Sequence, residues 1–389
     1  MSYKVKIHFF ILSVVILSSC DTPSTQEQDW TASVALNKSE PLALPLDSTS
    51  IQTSENFQFF VDGKDFLAFF NKPDNSIKLY DLESRNLVKS IPLKTQGPNA
   101  LIDMDSSPNN FKFLSQDSIL IHSIIQEKVF LINSEGVIKD SWEIKLQSLG
   151  QKYPIVDLMT LAQLQLTDKH IVLTGRMPWY EDGKPQIIAI DKSKNNDPVF
   201  LSEKESLYKQ FSLSEVGNWN FFKASNTQLN DQTILVSYPL SHKILIIKKD
   251  LKISTKELVN TDLSSLRPFG KEMSPKNSNS RSYFDYQGTA PVYHGILVDK
   301  YRKLIYRIAR LEFPMSEVRK IRNGAERKSW DFSIMIYDYD FKPLGRKKLE
   351  NTIGLDMFSM FVSKQGLHIR RKDSPEDLLT FDSYVVTDL

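Results

Sequence analysis

The side chains here best suited to grip an anion are arginines that recur at matched places in six short aliphatic stretches. Counted from the first apolar residue of each stretch, the fourth place holds Phe69, His122, Thr174, Ser237, Arg307 and Arg370. Arg176, Arg310 and Arg371 stand close by, and Trp179, Tyr180 and Tyr238 fall near the same stretch ends. A guanidinium fork suits a carboxylate or phosphate, and an aromatic face suits a sugar or a peptide side chain. Arg176, Arg307 and Arg370 therefore sketch an anionic-ligand pocket, with His122 or a tyrosine to move protons if the ligand is turned over. The alternative is that these arginines pair with acids between neighbouring stretches and bind nothing.

The other chemistry is sparse. His122, His170, His242, His294 and His368 include no pair at i, i+4, so the spacing implies no metal site. "DYDFK" at Asp338 and Asp340 lacks the glycine and the following Glu of a calcium loop and reads as a turn. Neither a Gly-rich phosphate loop nor a G-x-S-x-G elbow is present, and no cofactor is implied. The segment from Ser316 to Ser329 carries Arg319, Lys320, Arg322, Arg327 and Lys328 among Glu317 and Glu326, the pattern of a solvated helix.

What would position the arginines is a repeat. "SIKLYDLESRNLVKSIPL" from Ser76, "KVFLINSEGVIKDSWEI" from Lys128, "QIIAIDKSKNNDPVFLS" from Gln186, "KILIIKKDLKISTKELV" from Lys243 and "SIMIYDYDFKPLGRKKLE" from Ser333 share one plan. Each is an apolar strand, a polar turn and a second strand, with turns at Asp81, Asn133, Asp191, Lys248 and Asp338; a shorter copy from Leu378 places a turn at Asp382. Ahead of each lies an apolar residue, a four-residue turn and another strand: Val61 and Phe66, Leu114 and Ile119, Leu166 and Ile171, Leu229 and Ile234, Val362 and Leu367, with Val298 to Leu304 one residue longer. Six units of four strands each predict an all-β, six-bladed β-propeller of antiparallel blades. The sixth unit has three strands, and Glu40–Ser48 can supply the fourth, closing the ring with an N-terminal strand.

That topology sorts the connections. Turns between strands 1 and 2, and between 3 and 4, emerge on one face and are short. The long insertions, including "GRMPWYEDGKP" and the span from Asn260 to Pro291, belong to the opposite face. Long loops gathered on one face are expected to meet a partner, either an envelope protein, a glycan or a peptide.

"SENFQFFVDGKDFLAFFNKPDNSIKLYDLESRNLVKSIPLKTQGPNAL", with Gly97-Pro98-Asn99 after the first unit, and "YHGILVDKYRKLIYRIARLEFP", with Tyr306-Arg307, resemble a family of bacterial lipoproteins. The family is the domain of unknown function 4221, grouped with TolB-like six-bladed propellers. The resemblance spans nearly the whole mature chain and implies a propeller and an envelope location, but no established activity. Ala100 departs from it, standing where a glycine usually follows Gly-Pro-Asn.

The N-terminus gives the address. Lys4 and Lys6 precede the apolar run Phe9–Leu17, too short to span a bilayer but right for a signal peptide. Leu17-Ser18-Ser19-Cys20 resembles a lipobox, whose cysteine becomes the lipidated N-terminus. Cys20 is the only cysteine, so no internal disulfide competes for it. The expected organisation is a signal peptide over 1–19, a lipidated Cys20 with a flexible tether over 20–39, and a propeller over 40–389. Of 49 Lys plus Arg the signal removes two, leaving 47 against 47 Asp plus Glu. A neutral mature chain gives no basis for nucleic-acid binding, so the expected contacts are a membrane, through the lipid, and an envelope ligand.

Overall fold

The structure is a computed structural model that describes residues 32–52, 56–101, 110–123, 126–144, 155–156, 160–176, 185–194, 197–201, 223–258, 263, 266, 288–323 and 329–389. These form six antiparallel sheets, the blades of a propeller. Blade 1 runs through Phe57–Asp62, Lys64–Asn71, Ser76–Asp81 and Asn86–Pro92. Blades 2, 4 and 5 repeat that meander from inner strands Asn110–Ser115, Ser225–Asn230 and Val292–Asp299.

Blade 6 takes Leu355–Ser363, Gly366–Arg371 and Leu378–Asp388, with Val34–Pro45 as its outer strand. Val34 lies opposite Asp388 and Pro45 opposite Leu378. The strand thus starts six residues ahead of position 40, within the stretch whose composition suggests a tether. Asp382 is not a turn residue. It lies inside the long strand, and its carboxylate accepts from Lys38 Nζ at 2.7 Å.

The other repeated turns have a common mechanism. Asp81 Oδ1 accepts the N–H groups of Glu83 and Ser84, Asn133 Oδ1 those of Glu135 and Val137, and Asp338 Oδ1 those of Asp340 and Lys342. Arg85, Gly136, Lys194, Leu251 and Phe341 then adopt left-handed φ values of 59°, 73°, 65°, 64° and 65°. An acceptor side chain that opens the turn and a left-handed residue that closes it fit a short hairpin between twisted strands.

Apolar side chains alternate onto both faces of each sheet, so six clusters fill the six interfaces between blades. Between blades 1 and 2, Phe60 stacks on Phe113 with ring centroids 4.4 Å apart. The segment after Pro314 forms the expected helix, Met315–Arg322, where Lys320 pairs with Glu317 at 2.7 Å.

Blade 3 breaks the pattern. Its inner edge is two short pieces, Ile155–Val156 and Gln165–Leu166, both paired to His170–Arg176. Just ahead of the second piece the chain runs into the centre of the ring. Thr160 Oγ1 accepts the Phe57 N–H of blade 1 at 3.0 Å, and Gln163 Nε2 donates to the Phe57 carbonyl at 3.0 Å. The Leu161 carbonyl accepts the Asn226 N–H of blade 4 at 2.8 Å, and Ala162 makes a parallel bridge to Asn226. The Leu161 side chain packs among Tyr306 of blade 5 and Met360 of blade 6. A segment that touches blades 1, 4, 5 and 6 must cross the propeller axis. Gly295 admits it, because a Cβ there would lie 2.8 Å from Leu161 Cδ1.

Buried imidazoles tie this fold to pH. Burial pushes His122, His242 and His294 down to about 4 and His368 down to about 3, from an ordinary 6.5. The folded state therefore keeps them neutral at pH values where the unfolded chain has protonated them. Their contribution is fully present above pH 6.5 and is lost as pH falls, down to about 4 for the first three and about 3 for His368, by about 1.4 kcal/mol per pH unit for each. His368 accepts or donates to Ser363 Oγ and Ser383 Oγ at 2.8 and 2.9 Å. Urea unfolding of His368→Gln is expected to give a shallower loss of stability across that window than the parent chain. An equal slope would show that His368 is not one of the titrating groups.

Candidate functional site

Arg307 is completely buried, and its donors are spent on the protein. Nε donates to Ser237 Oγ at 3.2 Å, Nη1 to the carbonyls of His242 and Leu258 at 2.8 and 3.1 Å, and Nη2 to the Ser241 carbonyl at 2.6 Å. Its guanidinium carbon sits 3.3 Å from the centre of the Tyr293 ring. Every hydrogen-bond acceptor belongs to blade 4 or the strand end that follows it, so Arg307 clamps blade 5 onto blade 4. Burial lowers its pKa from the ordinary value, and no carboxylate offsets that among the described residues. Tyr238 is buried in the adjacent core with Ala290 and Val292.

Arg370 has the acid partner that the alternative reading expects, but within its own sheet. Nε and Nη2 donate to Asp356 Oδ2 at 3.0 and 2.6 Å, across the register pair Asp356–Arg370, and Nη1 donates to the Gln52 carbonyl. Arg307 and Arg370 are thus not brought to one cavity. Nearby, Arg310 donates to the Ala290 carbonyl at 2.7 Å, and Arg371 makes a fork with Asp373. The Arg176 backbone ends a blade 3 strand opposite Ile155 and Pro185. His122 is buried in blade 2 opposite Asn110 and Val129, held neutral by burial, and its Nδ1 has no hydrogen-bond partner among the described residues. Cys20, Trp179 and Tyr180 lie outside the described residues.

The cavity lies elsewhere, on the axis. Inner strands of all six blades enclose about 490 Å³, between the crossing segment at Thr160 and Gln163 and the turns joining strands 1 and 2. Its mouth is at Val61, Asp231, Lys300 and Tyr301, so it opens on the short-turn face. Four of the six aliphatic residues that open each repeat, Val61, Leu229, Val298 and Val362, line it. Phe59 and Phe361 stack on one side with centroids 5.8 Å apart and planes 13° apart. Lys300 Nζ at the mouth lies 6.0 Å from the Phe59 ring centre.

Toward blades 2, 3 and 4 the lining turns polar. Lys112 Nζ donates to Gln165 Oε1 at 2.8 Å, Gln165 Nε2 donates to Asn226 Oδ1 at 2.7 Å, and Asn226 Nδ2 reaches Thr174 Oγ1 at 3.4 Å. Gln58 Oε1 accepts the Phe113 N–H at 2.7 Å. Lys112 makes no ion pair among the described residues, and burial alone pushes it down to about 8 from 10.5. The arrangement supplies fixed amide donors and acceptors, two stacked rings and two cations, Lys112 inside and Lys300 at the mouth. Within the described residues it does not group three or more His, Cys, Asp or Glu side chains as a metal site would require. Sequence reasoning about the second strands missed Lys112. Its signal lay in the inner strand, where "NFKFLS" sets a lysine between two phenylalanines that belong to a core.

Residues 33–348 match the family described as Domain of unknown function (DUF4221). The chain belongs to that family. A DUF4221 member from Bacteroides vulgatus has a crystal structure that superposes with a TM-score of 0.72 at 19% identity, covering 92% of this chain and 99% of that one. A protein from Bacteroides fragilis, described as a candidate exported protein, matches with a TM-score of 0.56 at 12% identity, over 91% of this chain and 95% of that one. Both likenesses establish the fold alone. No curated protein matches this DUF4221 chain by sequence.

The uncompensated amine makes a test of the cavity. Because the folded pKa of Lys112 lies below the unfolded value, its ammonium burdens the folded state fully below about pH 8. That burden is relieved as pH rises toward 10.5. Lys112→Met is expected to stabilise the chain at neutral pH by on the order of 1–3 kcal/mol, with the gain shrinking across this window. Urea unfolding at both ends of the window checks it; a constant difference would mean that Lys112 is well solvated.

Proposed function

We propose that this chain is an envelope-located binding module, tethered by lipid on Cys20, whose long-loop face meets a protein, glycan or peptide. The observation that carries the reading is the placement of the connections. Inner strands are joined to their neighbours by short turns such as Asp62 to Lys64 and Ser363 to Gly366, on the face where the cavity opens. The wide gaps between consecutive strands, Leu201 to Ser225, Glu257 to Val292 and Arg310 to Phe332, all start and end at strand ends on the opposite face. A ring that carries its long connections on one side is suited to recognition. The address rests on the lipobox-like Leu17–Cys20 and agrees with the description of the Bacteroides fragilis protein as a candidate exported protein. The catalytic alternative asked Arg307 and Arg370 to neutralise an anionic substrate at the channel mouth. The hydrogen bonds that occupy both side chains give it less support.

The experiment places a photo-cross-linking residue at Trp179, and separately at exposed Val88 on the outer strand of blade 1, in cells that make the chain with Cys20 or Cys20→Ala. Discrete adducts in the membrane fraction are expected from position 179 alone, with the protein leaving the membrane when Cys20 is replaced. Equal adducts from both positions would contradict the long-loop face, and membrane retention of Cys20→Ala would contradict the lipid tether.

A further inference from the structure

The axial cavity has features that a space-filling core does not need. Among the described residues, Thr160 to Gln163 close its inner end through bonds to Phe57 and Asn226. Its volume of about 490 Å³ falls in the range of roughly 300–1,000 Å³ typical of small-molecule sites. It is also polarised from side to side. Phe59, Phe361, Lys112 and Gln165 hold equivalent register positions, opposite Leu67, His368, Leu120 and Val172, so the aromatic stack of blades 1 and 6 shares a level with the polar groups of blades 2 and 3, and Val61 lies nearer the mouth.

The lysine is the informative group. An ammonium carries three N–H donors, and only Gln165 Oε1 accepts from it among the described residues. Lys112 is half-buried, so its other two donors and its charge face the cavity, and a cation drawn this far from water is normally matched by an acid. The acid in the lining is Asp231, which is exposed at the turn by the mouth and makes no ion pair with Lys112. Lys300 and Tyr301 share that rim, where the Tyr301 hydroxyl is already committed to Asp65 Oδ1 at 2.8 Å. The site therefore sets a cation on one side and apolar walls on the other, with no anion beside the cation among the described residues.

We propose that this cavity binds a small amphiphilic carboxylate, its headgroup accepting the two remaining N–H groups of Lys112 and its apolar body lying along Phe59, Phe361 and the aliphatic rim. The carboxylate completes the charge pair that the protein leaves open, and the amide relay through Gln165 and Asn226 holds the ammonium toward it. The depressed lysine pKa agrees with an amine that awaits an anion, and a bound carboxylate raises it. This site is on the opposite face from the long loops and does not depend on the tether, so either reading can fail without the other.

The test uses the full chain and a matched pair of probes, hexanoate and its neutral isostere hexanamide, followed by isothermal calorimetry and by NMR of ¹⁵N-labelled lysine Nζ. Hexanoate is expected to bind at least about tenfold tighter than hexanamide, the size of one charge-assisted hydrogen-bonded contact. It should also raise the titration midpoint of Lys112. Lys112→Gln and Lys112→Met should each abolish the preference for the acid while circular dichroism and thermal unfolding report an intact propeller. Equal affinity for acid and amide, unchanged hexanoate binding by either variant, or absence of binding by the parent chain up to millimolar concentration would each overturn the proposal.

Discussion

The hydrogen bonds between Phe57 and the Thr160–Gln163 segment decide what this propeller encloses. A ring of six blades leaves an axial channel, and a channel open at both ends exposes the inner strands to water throughout. Here a peptide crosses the axis and gives its own polar groups to Phe57 and Asn226, which keeps its backbone satisfied in a place where loops are rarely tolerated. Leu161 then fills the space between blades 5 and 6, and its burial adds about 1.5–3 kcal/mol to their packing. The missing side chain at Gly295 is the complement of that insertion. One irregular stretch in blade 3 thereby turns a channel into a pocket.

Three inward cations are handled in three different ways around the ring. Arg307 is held by neutral oxygen acceptors and the Tyr293 ring, so its charge is spread over several dipoles and it serves as a clamp between blades. Arg370 is held by an acid, Asp356, in the usual arrangement for an interior ion pair. Lys112 has one amide oxygen and a water-accessible cavity in front of it. The planar arginine fork can use four fixed acceptors at once, whereas a lysine ammonium directs its donors into whatever space is next to it. That difference in chemistry separates two structural residues from one that faces a site.

The repeat was legible because it is local. Val61, Leu114, Leu166, Leu229, Val298 and Val362 each precede a tight turn, and the Asp81, Asn133 and Asp338 turns use side-chain acceptors whose reach is two to four residues. Asp382 misled because its environment, a strand flanked by Lys38 on a segment far away in sequence, is not written in its neighbours. The crossing segment was invisible for the same reason: "TLAQLQL" alternates like any inner strand, and only contacts with four other blades reveal where it goes. The arginine constellation was real as a register of positions, but register on a strand says nothing about which face is open. Lys112 was discoverable as a charge in an apolar strand, but that its ammonium meets one amide oxygen and no acid among the described residues needed the ring to be closed.

The account stands on the crossing segment being a fixed part of the ring, and native-state amide hydrogen exchange at Phe57 and Asn226 measures that most directly. Both N–H groups donate to the crossing segment, so the account predicts exchange as slow as the central strands of blades 1 and 4, through global unfolding. Exchange close to the rate of an unprotected amide at either position would mean that the segment leaves the axis readily, that the channel is open, and that the pocket is not a stable feature of the protein.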